Sequence, residues 1–224
     1  MGELESVPLS VKISTGDVKA AYTMNPAVHG GVVFRGQRYS MRKKDRKTVT
    51  LVLGGVRSGK SRWAQELAGH FERVAYIATA QARDAEMQEK IRCHQADRPA
   101  HWQTLEESLE LARVLIDHGE KFDVLLVDCL TVFVSNLMEV AETDSASMER
   151  RLDAFLEALR LVPAAVVLVS NEVGSGVVPP YPAGRVYRDA LGELNQRVAA
   201  VADNVVLMVA GLPLALKGSI GARP

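Results

Sequence analysis

The spacing G-x-x-x-x-G-K-S occurs as Gly54-Gly55-Val56-Arg57-Ser58-Gly59-Lys60-Ser61. It is the pattern of a phosphate-binding P-loop, in which glycines let the backbone wrap so that successive N–H groups converge on phosphate oxygens. Lys60 is placed to reach the terminal phosphates as a point charge. The Ser61 hydroxyl is placed to ligate the Mg2+ that accompanies a nucleoside triphosphate. A second candidate is Asp128, which closes the apolar run Phe122 to Val127. A carboxylate at the end of a buried strand can hold the magnesium or its water. The competing role for Asp128 is to cap the helix that follows.

The elements that must position these groups are legible in the apolar pattern. Thr48 to Leu53 reads as a buried strand, and Ser61 to Ala68 as a helix whose positive end faces the loop. Arg73 to Ala78 is a second strand. Asp84 to about Gln95 reads as a helix with Met87, Ile91 and His94 on one face, ended by Arg98-Pro99. A helix is expected from Glu107 to about His118 and a strand over 122–128. Helices follow over 130–139 and 147–161, then a strand over 164–170. A Gly/Pro-rich loop runs from Gly174 to Pro182, long enough to be functional. Arg185 to Ala202 reads as a helix and Asn204 to Ala210 as the last strand. Near-continuous apolar strands alternating with helices imply an α/β fold: a P-loop NTPase-like three-layer α/β/α with a mostly parallel sheet, its ligands at the carboxyl ends of the strands.

Length and charge bound the rest. The 224 residues suffice for one sizeable core with an appendage. The zero net charge hides an asymmetry of +5 over residues 1–47 against −5 over the remainder. We expect 1–47 to be an N-terminal extension, partly disordered and with at most a small hairpin, and 48–224 to be the catalytic domain. The basic run Arg42 to Lys47 that ends the extension reads as a solvated linker. The slightly acidic body gives no support for a nucleic-acid partner. Two cysteines, Cys93 and Cys129, make neither a disulfide framework nor a metal spacing, and no apolar run approaches a membrane span or a signal segment, so a cytoplasmic protein is expected.

Further residues make the pattern specific. They are Tyr76-Ile77-Ala78-Thr79, the run Ile91 to Trp102, Asp128-Cys129-Leu130-Thr131, and Ser170-Asn171-Glu172-Val173-Gly174. Val177-Val178-Pro179, Leu191 to Gln196 and Ala210-Gly211-Leu212-Pro213 complete the set. With the P-loop, their order and spacing resemble the bifunctional adenosylcobinamide kinase / adenosylcobinamide-phosphate guanylyltransferases of cobalamin biosynthesis, over about residues 49–217.

The resemblance implies that ATP or GTP phosphorylates adenosylcobinamide, and that GMP then passes from GTP to adenosylcobinamide phosphate through a GMP–histidine intermediate. His94 matches the family's histidine. Some family members carry two adjacent histidines where this chain has Cys93-His94, and registering on Arg98-Pro99 and Trp102 favours His94. A neutral imidazole can attack the α-phosphorus while the P-loop retains the departing pyrophosphate. The negative end of its helix favours the protonated form, which Arg98 would oppose. Without the resemblance His94 reads as a partly buried structural histidine.

By the same register the nucleotide contacts fall on Thr79, Ala80 and Gln81, on Gln95, Ala96, Asp97 and Arg98, and on Glu106 and Asp128. A carboxylate can accept from guanine N1–H and N2–H and so reject adenine. The sequence leaves open which of Glu106 and Asp128 does this, and Glu106 also reads as a helix-start carboxylate. Glu172 is the candidate base for the substrate hydroxyl. Arg57, Arg185 and Arg188 are placed either to meet phosphate or to face solvent, and His101 is expected at a strand start. The resemblance also suggests a homo-oligomer, a trimer with the corrinoid site between subunits. Two rivals fit the P-loop alone: a small-molecule kinase without guanylyl transfer, and a non-catalytic GTP-sensing or assembly protein.

Overall fold

A computed structural model describes residues 47–80, 99–141 and 145–219. All of them belong to one unit of the chain, Arg42–Ile220. The expected helix 84–95, with Cys93 and His94, lies outside the described residues, as do Gln81, Gln95 to Arg98 and the extension before Lys47.

The core strands are β1 (Val49–Gly54), β2 (Val74–Ala78), β4 (Val124–Asp128), β5 (Ala165–Asn171) and β6 (Asn204–Val209). They form a parallel sheet with β3 (Gln103–Glu106) on one edge and β7 (Leu212–Lys217) on the other, in the order β3-β2-β4-β5-β1-β6-β7. Because successive strand residues face opposite ways, each apolar run divides by parity between two cores. Leu51, Ile77, Leu125, Val127, Val166 and Leu168 pack on one face. Val52, Tyr76, Leu126, Val167, Val169 and Met208 pack on the other. This is why these strands read as continuous rather than alternating hydrophobic runs.

Helix α1 (Lys60–Ala68) covers the second face, burying Trp63, Ala64 and Ala68. The first face is covered by α2 (Leu111–His118), α3 (Leu130–Ala141), α4 (Ser145–Leu161) and α5 (Pro182–Val201). Phe133 of α3 and Phe155 of α4, both almost fully buried, pack as tilted rings with centroids 5.7 Å apart. Such an aromatic pair contributes about 1 kcal/mol beyond its burial. The three-layer α/β/α expectation is met by helices on both faces.

Three expected boundaries move. The helix expected from Glu107 begins at Leu111; Glu107 instead turns back to accept the N–H groups of Leu109 and Glu110 through Oε1, at 2.8 and 2.9 Å. Glu106 is accordingly the last residue of a strand, not a helix-start carboxylate. The helix expected from Arg185 starts at Pro182, whose fixed φ and missing N–H suit the first turn. The strand expected to be last is not. Val209 and Leu212 pair across a two-residue turn into the antiparallel β7, with Ala210 at φ 51° and Gly211 at φ 79°. Positive φ at both central positions is what a type I′ hairpin turn requires.

Candidate active site

Register along the sheet collects the candidate residues at one end. Gly54 of β1 lies beside Asn171 of β5 and Met208 of β6, Asp128 of β4 beside Val169 and Ala78, and Ala78 beside Glu106. Glu172 follows β5 directly, and its N–H donates to the Gly54 carbonyl at 3.0 Å. The P-loop therefore leaves the sheet already tied to the residue expected as the base.

The loop itself is built by exclusion. Gly54 has φ 155°, and a Cβ there would lie 2.6 Å from both the Met208 carbonyl oxygen and Ser58 Oγ. Gly59, at φ 93°, precedes α1, whose N-terminus has neither a side-chain cap nor an acidic residue in its first turn. Its amides are thus left for an anion. Ser58 is buried and its Oγ has no hydrogen-bond partner among the described residues. Gly55, Val56 and Arg57 form the exposed tip, with Arg57 in a left-handed conformation at φ 55°. Lys60 is 8% exposed and donates from Nζ to the Gly55 carbonyl at 2.7 Å. Burial lowers its pKa below the ordinary 10.5, while the neighbouring Cys129 and Asp128 oppose that shift.

Asp128 accepts a 3.0 Å hydrogen bond from the Tyr76 hydroxyl at Oδ2. The alternative role, capping α3, falls to the next residue: the Cys129 carbonyl accepts the first helical bond, from Phe133 N–H at 3.1 Å. The Asp128–Cys129 peptide is cis. Burial, with Asp128 adding to it, pushes the Cys129 thiol up to about 11, so it is a protonated packing group at neutral pH.

Thr79, expected as a nucleotide contact, also braces the loop beside it. It is fully buried; its hydroxyl donates to the Cys129 carbonyl and accepts from Cys129 N–H, both at 2.8 Å. Its own carbonyl accepts from Asn136 Nδ2 at 2.9 Å, and Asn136 also reaches the Ser108 carbonyl at 3.2 Å. Thr79 thus braces the turn carrying Asp128 through its hydroxyl and carbonyl. Ala80 is half-buried beside it, and Glu106 is exposed at the end of β3.

The arginines of α5 divide. Arg185, half-buried, donates to the Pro179 and Pro180 carbonyls at 3.1 and 2.9 Å, pinning the Gly/Pro loop. Arg188 pairs with its neighbour Asp189 at 3.4 Å. His101 is exposed in a turn two residues before β3.

The hard-oxygen donors Ser61 and Asp128 suit magnesium. Among the described residues no group of three or more His, Cys, Asp or Glu is gathered for a metal. An ion here would need phosphate oxygens to complete its shell, as a nucleotide-borne Mg2+ does.

Four contributors had no role assigned from the sequence, although Tyr76, Asn195 and the pair Ala210-Gly211 lie in the motif runs quoted above. Tyr76 holds Asp128, and Asn136 interrupts an otherwise apolar helix face. Asn195 sits on the α5 stripe formed by Leu191, Leu194 and Val198. A polar residue on such a stripe was the available signal for both asparagines. The fourth is the Ala210-Gly211 turn, whose Gly211 N–H donates to the Ser58 carbonyl at 3.0 Å. A glycine-containing pair between two apolar runs marks a hairpin.

Comparison with known proteins agrees with this geometry. The family model described as cobinamide kinase / cobinamide phosphate guanyltransferase matches residues 50–216. The bifunctional adenosylcobalamin biosynthesis protein CobP of Pseudomonas aeruginosa is 49% identical over 169 residues, covering 75% of this chain and 96% of that protein. The CobU proteins of Salmonella typhimurium and Escherichia coli, which carry the same description, are 42% and 40% identical over 178 residues, each covering 75% of this chain and 98% of the relative. With the P-loop, the sheet order and these matches together, the chain belongs to the cobinamide kinase / cobinamide phosphate guanylyltransferase family.

Proposed function

We propose that one P-loop serves both reactions of the family, with His94 as the group that forms the covalent guanylyl intermediate. The observation that carries this reading is the uncapped α1 N-terminus with Lys60, flanked at the same sheet end by Asp128 and Glu172. In the first reaction Glu172 accepts the proton of the aminopropanol hydroxyl of adenosylcobinamide. The hydroxyl oxygen bonds to the γ-phosphorus, and the nucleoside diphosphate leaves. In the second, an imidazole nitrogen of His94 bonds to the α-phosphorus of GTP as the bond to pyrophosphate breaks, with Lys60 and the loop amides retaining that pyrophosphate. An oxygen of adenosylcobinamide phosphate then bonds to the same phosphorus, and the histidine is released.

The sheet order supports a division of labour between the two carboxylates. Asp128 is two strands from the P-loop strand, roughly 10 Å, and would hold Mg2+ with Ser61; Glu106 is four strands away, roughly 19 Å, and would meet the guanine edge. Bound there, magnesium would neutralise charge on the phosphates. Ser58, Gly55, Val56 and Arg57 would line the phosphates, and Ala80, Gln81 and Gln95 to Arg98 the nucleoside.

The exposed row Leu212, Leu214 and Leu216 on the edge strand β7 supports a homo-oligomer. No described helix is long and apolar enough to cross a membrane; a cytoplasmic location is the reading that also suits the two cysteines.

Incubation with α-labelled GTP and magnesium tests the assignment of His94. The expected result is labelled protein, stable to alkali and labile to acid, and absent in His94→Ala. Label that persists in that variant moves the nucleophile elsewhere. No label at all, with phosphorylation intact, leaves a kinase without the guanylyl step.

A further inference from the structure

We propose that Asn195, on α5, is a positioning residue for phosphoryl transfer: it fixes the peptide that carries Glu172 against the base of the P-loop. The inference rests on the reading of Glu172 as the base.

Asn195 is 7% exposed, on a helix face otherwise given to Leu191, Leu194 and Val198. A buried amide on such a face is costly unless its polar atoms are used. Here Oδ1 accepts from the buried Ser170 hydroxyl at 2.7 Å, and Nδ2 donates to the Asn171 carbonyl at 3.1 Å. That carbonyl and the Glu172 N–H are the two poles of a single peptide unit. The Glu172 N–H donates to the Gly54 carbonyl at 3.0 Å. Because the unit is planar, holding both poles stops its rotation and fixes the direction in which Glu172 leaves β5.

The residue before is clamped as well. Asn171 N–H donates to Thr131 Oγ1 at 2.9 Å, and the Thr131 carbonyl accepts from Tyr187 on α5 at 3.1 Å. Removing the Nδ2 donor frees one pole of the plane. Glu172 and the loop that starts at Gly54 then no longer share a fixed geometry. The sequence Leu191-Gly192-Glu193-Leu194-Asn195-Gln196 thereby acquires a function that the P-loop and His94 do not explain.

A purely structural role would weaken both reactions together, whereas positioning of Glu172 concerns only the first. The Asn195→Asp variant keeps the shape and the Ser170 acceptor while replacing the donor with an oxygen. In the full-length protein, the expected kcat for phosphorylation of adenosylcobinamide falls about tenfold or more, in the range that small misplacements of reacting groups produce. KM for the nucleotide, GTP affinity and formation of guanylylated protein stay within about threefold. If Asn195→Asp does not fold, Thr131→Val, which removes the acceptor for Asn171 N–H, is expected to give the same split. Equal loss of phosphorylation and of GTP affinity or guanylylation, or no loss in either, overturns the proposal. Glu172→Gln is measured alongside. If it phosphorylates normally, the assignment of the base is what fails. If it is slow while the Asn195 and Thr131 variants are not, the positioning role fails alone.

Discussion

Two adjacent glycines of the P-loop should respond oppositely to alanine. At Gly54, φ is 155° and the added Cβ would stand 2.6 Å from the Met208 carbonyl oxygen and from Ser58 Oγ. The serine can turn away. Met208 cannot, because it is in register with Gly54 in the β1–β6 ladder, and retreat would break the sheet beside the loop. A side chain in this backbone region costs roughly 1–3 kcal/mol, and forcing atoms into a filled site a further 1–3 kcal/mol or so. A loss of about 3 kcal/mol is a large part of the roughly 5–15 kcal/mol that holds a domain folded. For a chain of this length it lowers Tm by about 6–12 °C. At Gly55 nothing lies within 4 Å of the added Cβ, and no positive φ stands in the way. Gly55→Ala should therefore leave Tm unchanged or raise it slightly, by restricting the unfolded chain. Circular-dichroism melts of the two variants and the parent make the comparison. A Gly54→Ala melt within 2 °C or so of the parent, or an equal fall for Gly55→Ala, would refute the argument that the Met208 carbonyl fixes the start of the loop.

Two other outcomes are expected. Burial, with Cys129 nearby adding to it, pushes the Tyr187 hydroxyl up to about 12 from an ordinary 10.0. The unfolded chain therefore loses this proton first, and the stability present below about pH 10 is lost between pH 10 and 12. Denaturant midpoints measured across that window should fall, and should fall less in Tyr187→Phe; equal slopes would assign the alkaline loss to other groups. Separately, deleting residues 1–46 should leave both activities within a few-fold of the parent in steady-state assays, since the P-loop strand starts at Val49. Complete loss would make the extension part of the site.

How far the site was legible depended on whether a residue acts through its neighbours in sequence. Gly54 to Ser61 needed only a strand before and a helix after, and Asp128 only the end of an apolar run. The bracing role of Thr79 was not legible because its partners, Cys129 and Asn136, are 50 and 57 residues away. The β6–β7 hairpin was missed because β7 is an exposed edge strand that lacks the apolar-in, polar-out alternation of a half-buried one.

The amino-acid sequence by itself determined the layer architecture and the phosphate cradle, since parity of apolar residues and glycine spacing act within a few residues of chain. The tertiary structure alone decided which side chains brace the cradle and its neighbouring turns. Asp128 is held by Tyr76, Thr79 serves the turn beside it, Asn195 holds the peptide before Glu172, and Gly211 braces Ser58. Each of these depends on hydrogen bonds between residues distant in sequence. Their direction is set by sheet order and register, which no local pattern encodes.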